Sequence, residues 1–213
     1  MASEVNHAVR EILPRKESML FGQLDIYPPR VSFSSQNKNE KVFIMVRQHV
    51  SINFGWLFRA VLLIVLQILI SLVIDFFVAQ FPENFPGGVK LSEFLPMEIW
   101  LVLALIYYSS IFSYMLARFI DWYFDIYLVT SERIIHSEFQ ILKGKTLSEA
   151  PLKNIQDVQQ KIIGFFPSMF NYGDVIVQTA AEKGKFDFKS VPDPTWFMNV
   201  ISDLAKLAEG GGL

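Results

Sequence analysis

The side chains in this sequence that could act as a base near neutral pH are His7, His49 and His136. No histidine stands three or four residues from another, the spacing that would put two imidazoles on one helix face as metal ligands. With no cysteine in the chain, thiol catalysis, thiolate metal sites and disulfides are excluded. Patterns such as HExxH, GxSxG or a phosphate loop are also missing. No catalytic residue, cofactor or metal is therefore expected, and His136 reads as a partly exposed sheet residue. Asp174, after Gly173, reads as the exit of a turn. The residues that stand out are Arg47, His49, Trp56, Arg59, Arg118 and Trp122. Each lies near the end of a long apolar run, where guanidinium, imidazole and indole groups can meet lipid headgroups. For His49 with Arg47, a headgroup or domain-docking contact is the sharper reading, and ordinary polarity at the membrane interface is the reading preferred.

Those positions depend on the apolar runs themselves. Apolar residues make up 52% of the chain, with 20 Phe, and they concentrate in two places. One is "FGWLFRAVLLIVLQILISLVIDFFVA", about 54–79, and the other is "MEIWLVLALIYYSSIFSYMLARFI", about 97–120. Each exceeds the ~20 residues that cross a bilayer, and neither keeps the polar stripe of a buried soluble helix. The pattern predicts two transmembrane helices within 53–120. Arg10, Arg15, Lys16, Arg30, Lys38, Lys41 and Arg47 precede the first run, whereas "QFPENFPGGVKLSEFLP" between the runs carries only Lys90. The positive-inside rule then puts both termini in the cytoplasm and the connector outside. Gln67, Asp75, Ser109, Ser110 and Ser113 are a thin supply for a transport path. Asp75 reads as an interfacial carboxylate and the serines as helix-packing residues. A small oligomeric channel or transporter component built from such hairpins is the alternative reading. The net charge of −2 and the lack of a basic stripe give no sign of nucleic-acid binding.

After Ile120 the period changes. Trp122, Phe124, Ile126 and Leu128 alternate with Tyr123, Asp125, Tyr127 and Val129, predicting a half-buried strand that starts almost without linker at the membrane surface. "TSER" supplies a turn and "RIIHSEF" a second strand. "LKGKTLSEAPL" predicts a strand that Pro151 confines to an edge, and "LKNIQDVQQKI" a helical turn followed by a strand. "GFFPSMFNYGD" predicts a compact loop whose Phe165, Phe166, Met169 and Phe170 plug a core. "DVIVQTA" and "KFDFKSV" predict strands, the latter with Phe186 and Phe188 inward. Asp193 is placed to cap a helix with Pro194 at its first position. Phe197, Val200, Ile201, Leu204 and Ala208 then form its apolar face. The expected organisation is a cytoplasmic N-terminal segment at 1–52, the two helices within 53–120, a β domain over 121–207, and a flexible tail at 208–213. The N-terminal "HAVREILPRKESMLFG" could form a short amphipathic helix.

The order and spacing of "EKVFIMVRQHV", two apolar runs, "YLVTSERIIH", "LSEAPLKNIQDV", "YGDVIVQTA" and "FDFKSVPDP" resemble the bacterial membrane-flanked PH-like domain family. Val50 stands where an aromatic is usual in that family. The resemblance implies a membrane α-helical hairpin plus a mainly-β, pleckstrin-homology-like barrel or bent antiparallel sheet of about seven strands, capped by a C-terminal α-helix. It implies no catalytic activity and a location in the bacterial cytoplasmic membrane as a multi-pass protein. A sheet of that kind, tethered at the membrane with strand edges open to a partner, is expected to act as a membrane-anchored binding or assembly module. Its expected partners are membrane lipids and a protein, and the resemblance adds further copies of the chain. The "VTSERII" turn carries Arg133 as its only basic residue, beside Glu132, so phosphoinositide recognition is not expected.

Overall fold

The computed structural model describes residues 9, 12–13, 23–28, 31–33, 35–80, 96–141, 144–180 and 184–211, leaving aside the side chains at 75, 78 and 79. The connector between the apolar runs, most of the proposed N-terminal amphipathic helix and the Asp75 side chain lie outside the described residues. The chain divides into two compact units, one made of Met1–Ile52 with Ile120–Leu213 and the other of Asn53–Phe119.

The first unit is built on two antiparallel sheets. Strands β1 (Leu24–Ile26), β2 (Val42–Arg47), β3 (Ile126–Thr130), β4 (Arg133–Gln140) and β5 (Gly144–Pro151) pair in sequence order. Strands β6 (Ile155–Lys161), β7 (Tyr172–Thr179) and β8 (Lys185–Pro192) form the second sheet, also in order. The strand order itself holds the main departure from expectation. β2 and β3 are paired neighbours, with Arg47 opposite Ile126, so the segment that holds both apolar runs is inserted between two adjacent strands. Leu24–Ile26 and Val42–Arg47, expected in a separate N-terminal segment, are therefore strands of the β domain. Val9 and Leu13 are buried in the core of that domain and Ile12 packs beside them.

β3 begins at Ile126, and Trp122–Phe124 belong to the last turn of a helix. A short apolar-aromatic run is ambiguous between strand and helix by periodicity alone, and here the helix continued into it. The expected half-buried strand is corrected as well. As a central strand β3 is buried from Tyr127 to Thr130. Tyr127 and Val129 face the main core, while Leu128 joins Met45 and Ile135 in a smaller cluster covered by Val31 and Phe33.

The second sheet follows its sequence pattern closely. Leu152–Asn154 is a 3-10 turn leading into β6, and Phe186 and Phe188 point inward while Lys185, Asp187 and Lys189 are exposed. Gly173 is needed where β7 passes β6, since a Cβ there would sit 2.8 Å from the Lys161 carbonyl oxygen. The C-terminal helix (Pro194–Glu209) starts at Asp193, whose carboxylate accepts from the Trp196 amide at 3.5 Å. Its Phe197, Val200, Ile201, Leu204 and Ala205 are buried against β6, β7 and β8. Because the helix reaches Glu209 and Ala208 packs on the core, the domain extends beyond the expected boundary at 207.

The second unit is helical. Helix α1 (Asn53–Gln80) is preceded by a 3-10 turn at Val50–Ile52, and α2 covers Met97–Phe124, its last turn lying in the first unit. Both are long and apolar enough to cross a membrane, and only 6% of each apolar window is buried. Tyr107 donates to the Leu63 carbonyl at 2.8 Å and Tyr108 to Gln67 Oε1 at 2.7 Å, joining the two helices. Ser110 does not pack between helices as expected. It is exposed and donates to its own Ile106 carbonyl at 2.7 Å, satisfying the hydroxyl locally. The shorter helices of the first unit follow in chain order as α3 (Phe165–Phe170) and α4, the C-terminal helix.

Candidate functional site

Two residues, Gln48 and His49, separate β2 from the turn that opens α1, and Asp125 alone separates α2 from β3. Both connections are tied into the first unit by side chains. Gln48 Nε2 donates to Asp125 Oδ2 at 2.6 Å, bridging the outgoing and incoming chain directly. The Trp122 indole donates to the Gln48 carbonyl at 3.0 Å, and the Arg47 guanidinium lies over the Tyr123 ring at 4.9 Å. Asp121 Oδ1 accepts from the Ile141 amide at 3.1 Å, fixing the helix end to the β4–β5 connection.

Asp125 also meets His136, with Oδ1 at 2.7 Å from Nε2. The imidazole stacks on Tyr127, ring centroids 4.4 Å apart. Burial, and after it the Asp125 charge, push the Tyr127 phenol above its ordinary value. The phenol oxygen accepts from the Lys189 amide at 3.1 Å, connecting the two sheets. The pair of carboxylate and imidazole thus holds a core tyrosine in place, and the sequence reading of His136 as a sheet residue agrees with that geometry.

His49 forms the other side of the joint. Its amide donates to the Ser190 carbonyl at 2.7 Å, and its ring stacks on Tyr172 at 4.8 Å and 8° and on Phe170 at 6.4 Å. Ser190 holds a positive φ of 50°, and its own amide is taken by Asp174 Oδ1 at 2.8 Å. Burial lowers the His49 pKa below its ordinary value of 6.5. The folded state therefore binds fewer protons than the unfolded chain, so stability is full above 6.5 and is lost as pH falls through the lowered folded value. A chain with His49→Phe, which keeps the stack and removes the titration, should show a shallower loss between pH 7 and pH 5. The difference amounts to at most about 1.4 kcal/mol per pH unit in chemical denaturation in mild detergent. Equal slopes would show that His49 titrates alike in both states.

Of the six residues singled out from sequence, Arg47, His49 and Trp122 meet in this joint. Trp56, Arg59 and Arg118 lie in the helical unit, where Trp56 donates to Asn53 Oδ1 at 2.9 Å and Arg59 to the Gly55 carbonyl at 3.2 Å. Gln48 and Tyr172 had no assigned role from sequence, since each acts through partners distant in the chain, and Phe170, expected in the core, stacks on His49 instead.

The turn between β3 and β4 is organised around Arg133. Its guanidinium grips Glu40 with Nε at 3.0 Å and Nη2 at 2.8 Å, and reaches Glu149 with Nη1 at 2.6 Å. Beside it, Ser131, Glu132, Arg133, Pro151, Lys153 and Ala208 line an open groove of about 430 Å³. A guanidinium already held by two carboxylates has little left for a phosphate.

This architecture can be set beside known proteins. The profile of the Bacterial PH domain family matches residues 53–205. The chain belongs to the bacterial PH domain family. The match starts at α1, so β1 and β2 precede it in the chain and complete the first sheet of this bacterial PH domain. PH domains are typically non-catalytic. A solved structure of a DUF1696 family protein with a pleckstrin-homology domain, from Shewanella loihica PV-4, is similar at 16% identity. The likeness covers 38% of this chain and 70% of that one, with a TM-score of 0.31. A search of curated proteins finds no match.

Proposed function

We propose that this bacterial PH domain protein is a membrane-anchored binding and assembly module, not an enzyme. Its α1–α2 segment crosses the cytoplasmic membrane, and the β domain stands at the cytoplasmic surface to contact protein partners, including further copies of the chain. The observation that carries the reading is the insertion of two apolar, lipid-length helices between the paired strands β2 and β3. Core helices of a soluble protein would bury their apolar sides, whereas these leave them exposed. Both chain connections enter the domain at one place and are pinned there by Gln48, Asp125 and Trp122. Strand β5 suits partner binding. It is the last strand of its sheet, eight residues long, and every residue but Ala150 is exposed. Such an edge can accept a strand from another chain.

The natural lack of cysteine makes the test clean. A single cysteine replacing Glu83 in the connector should react with a membrane-impermeant maleimide in intact cells. A single cysteine replacing Ser148 on β5 should react only after permeabilisation. Labelling of Ser148→Cys from outside would invert the orientation. With Leu147→Cys, oxidation in native membranes should yield dimers or larger products, and a strictly monomeric product would argue against self-assembly through β5.

A further inference from the structure

The loop expected to plug the core does not do so. Helix α3 and the residue before its N-cap place Ile163, Phe165, Phe166, Met169 and Phe170 in solvent, each between 40% and 74% exposed. No charged residue occurs from Ile162 to Gly173. An apolar cluster of this kind on one connection calls for a partner.

The geometry points to a membrane-dipping finger: α3 inserts its apolar tip into the headgroup and acyl boundary of the bilayer that α1 and α2 cross. The inference rests on the anchoring reading above and adds a second, non-spanning contact. Its location favours lipid over protein as the occupant. Phe170 stacks on His49, and the candidate membrane span begins at the next residue, Val50. The finger thus stands, within the β domain, beside the point where the chain departs for the membrane. Part of its polar backbone is satisfied internally, which lowers the cost of leaving water. The Ser168 amide and hydroxyl both donate to the Gly164 carbonyl, at 3.2 and 2.9 Å, and the Asn171 amide donates to the Pro167 carbonyl. Pro167 has no amide hydrogen to lose. Phenylalanine and methionine side chains suit the depth at which interfacial segments lie.

The test uses the full chain, labelled through single cysteines with a polarity-sensitive fluorophore and reconstituted in vesicles of phosphatidylethanolamine and phosphatidylglycerol. Phe166→Cys reports the finger, with Met169→Cys as a second position should the first disturb the loop. Ser148→Cys reports the exposed β5 edge, and Ile70→Cys reports α1. The expected result is a blue-shifted emission at 166 that loses most of its intensity to lipids carrying a shallow nitroxide, while the label at 148 is quenched by aqueous iodide alone. The label at 70 should be quenched by a deep nitroxide. If 70 is quenched in the bilayer but 166 is open to iodide, the finger is overturned and anchoring stands. Shielding of 166 from both quenchers, growing with protein density, would overturn lipid insertion in favour of a second copy as the occupant. If 70 is not quenched by lipid, the anchoring reading falls and the finger with it.

Discussion

The β domain of an Arg133→Met chain should unfold with a loss of about 3–5 kcal/mol, the cost of leaving a buried charge without its partner. The Glu40 side chain is fully buried, and Arg133 is its one cationic partner among the described residues. Thr130 Oγ1 and the Asn37 amide complete its shell at 2.7 and 3.1 Å. Burial alone would push the Glu40 carboxyl up, but the hydrogen bonds from Arg133, Thr130 and Asn37, with the Arg133 charge, outweigh it and hold the pKa below 4.5. A lowered carboxyl stabilises the fold above the unfolded value of 4.5, and that share is lost as pH falls through the folded one. In the Arg133→Met chain the sign should reverse: the orphaned carboxylate destabilises most at neutral pH, and acid relieves it. The double change Glu40→Leu with Arg133→Met should recover most of the loss, because a well-packed apolar pair commonly matches a buried ion pair. Chemical denaturation in mild detergent at neutral and acid pH checks all three. An Arg133→Met chain as stable as the parent would show that Glu40 finds water or another donor.

Phe188→Ala should cost a similar amount, about 3–5 kcal/mol, as expected for a fully buried phenylalanine. The ring is a link in an aromatic chain through the domain, 5.0 Å from Tyr127 and 5.1 Å from Phe197 on α4. Its loss removes one of the two rings packed on Tyr127 and leaves the His136 stack. The effect should therefore reach the joint, with faster amide hydrogen exchange at Gln48 and Ile126 than in a Phe188→Leu chain, which keeps part of the volume. Normal exchange there together with a lower global stability would show that the core and the joint are independent.

Several features were legible in the sequence because they are local. The length and composition of the two apolar runs, the alternation in "KFDFKSV" and the Asp193–Pro194 helix start need only residues a few positions apart. The family resemblance rested on the order of such pieces, and the profile match bears out its bacterial PH domain part. The joint was only half legible. Arg47, His49 and Trp122 drew notice by type and position, but the Gln48 carbonyl that receives the Trp122 indole lies 74 residues away. Expecting Phe165–Phe170 to fill the core followed from their hydrophobicity, which says that a side chain prefers to leave water but not which surface will receive it.

By itself the sequence determined two helices of lipid length, the β character of the C-terminal half and the amphipathic helix that closes it. Those follow from side-chain period and turn chemistry, which act over one or two turns of chain. Only the tertiary structure decided that "VFIMVR" is the strand lying between Leu24–Ile26 and Ile126–Thr130, so that the helical segment is an insertion within a sheet. Strand pairing is a contact between backbones whose separation along the chain is arbitrary, and its register is set by what the two faces bury. The sequence of either strand alone does not carry that information.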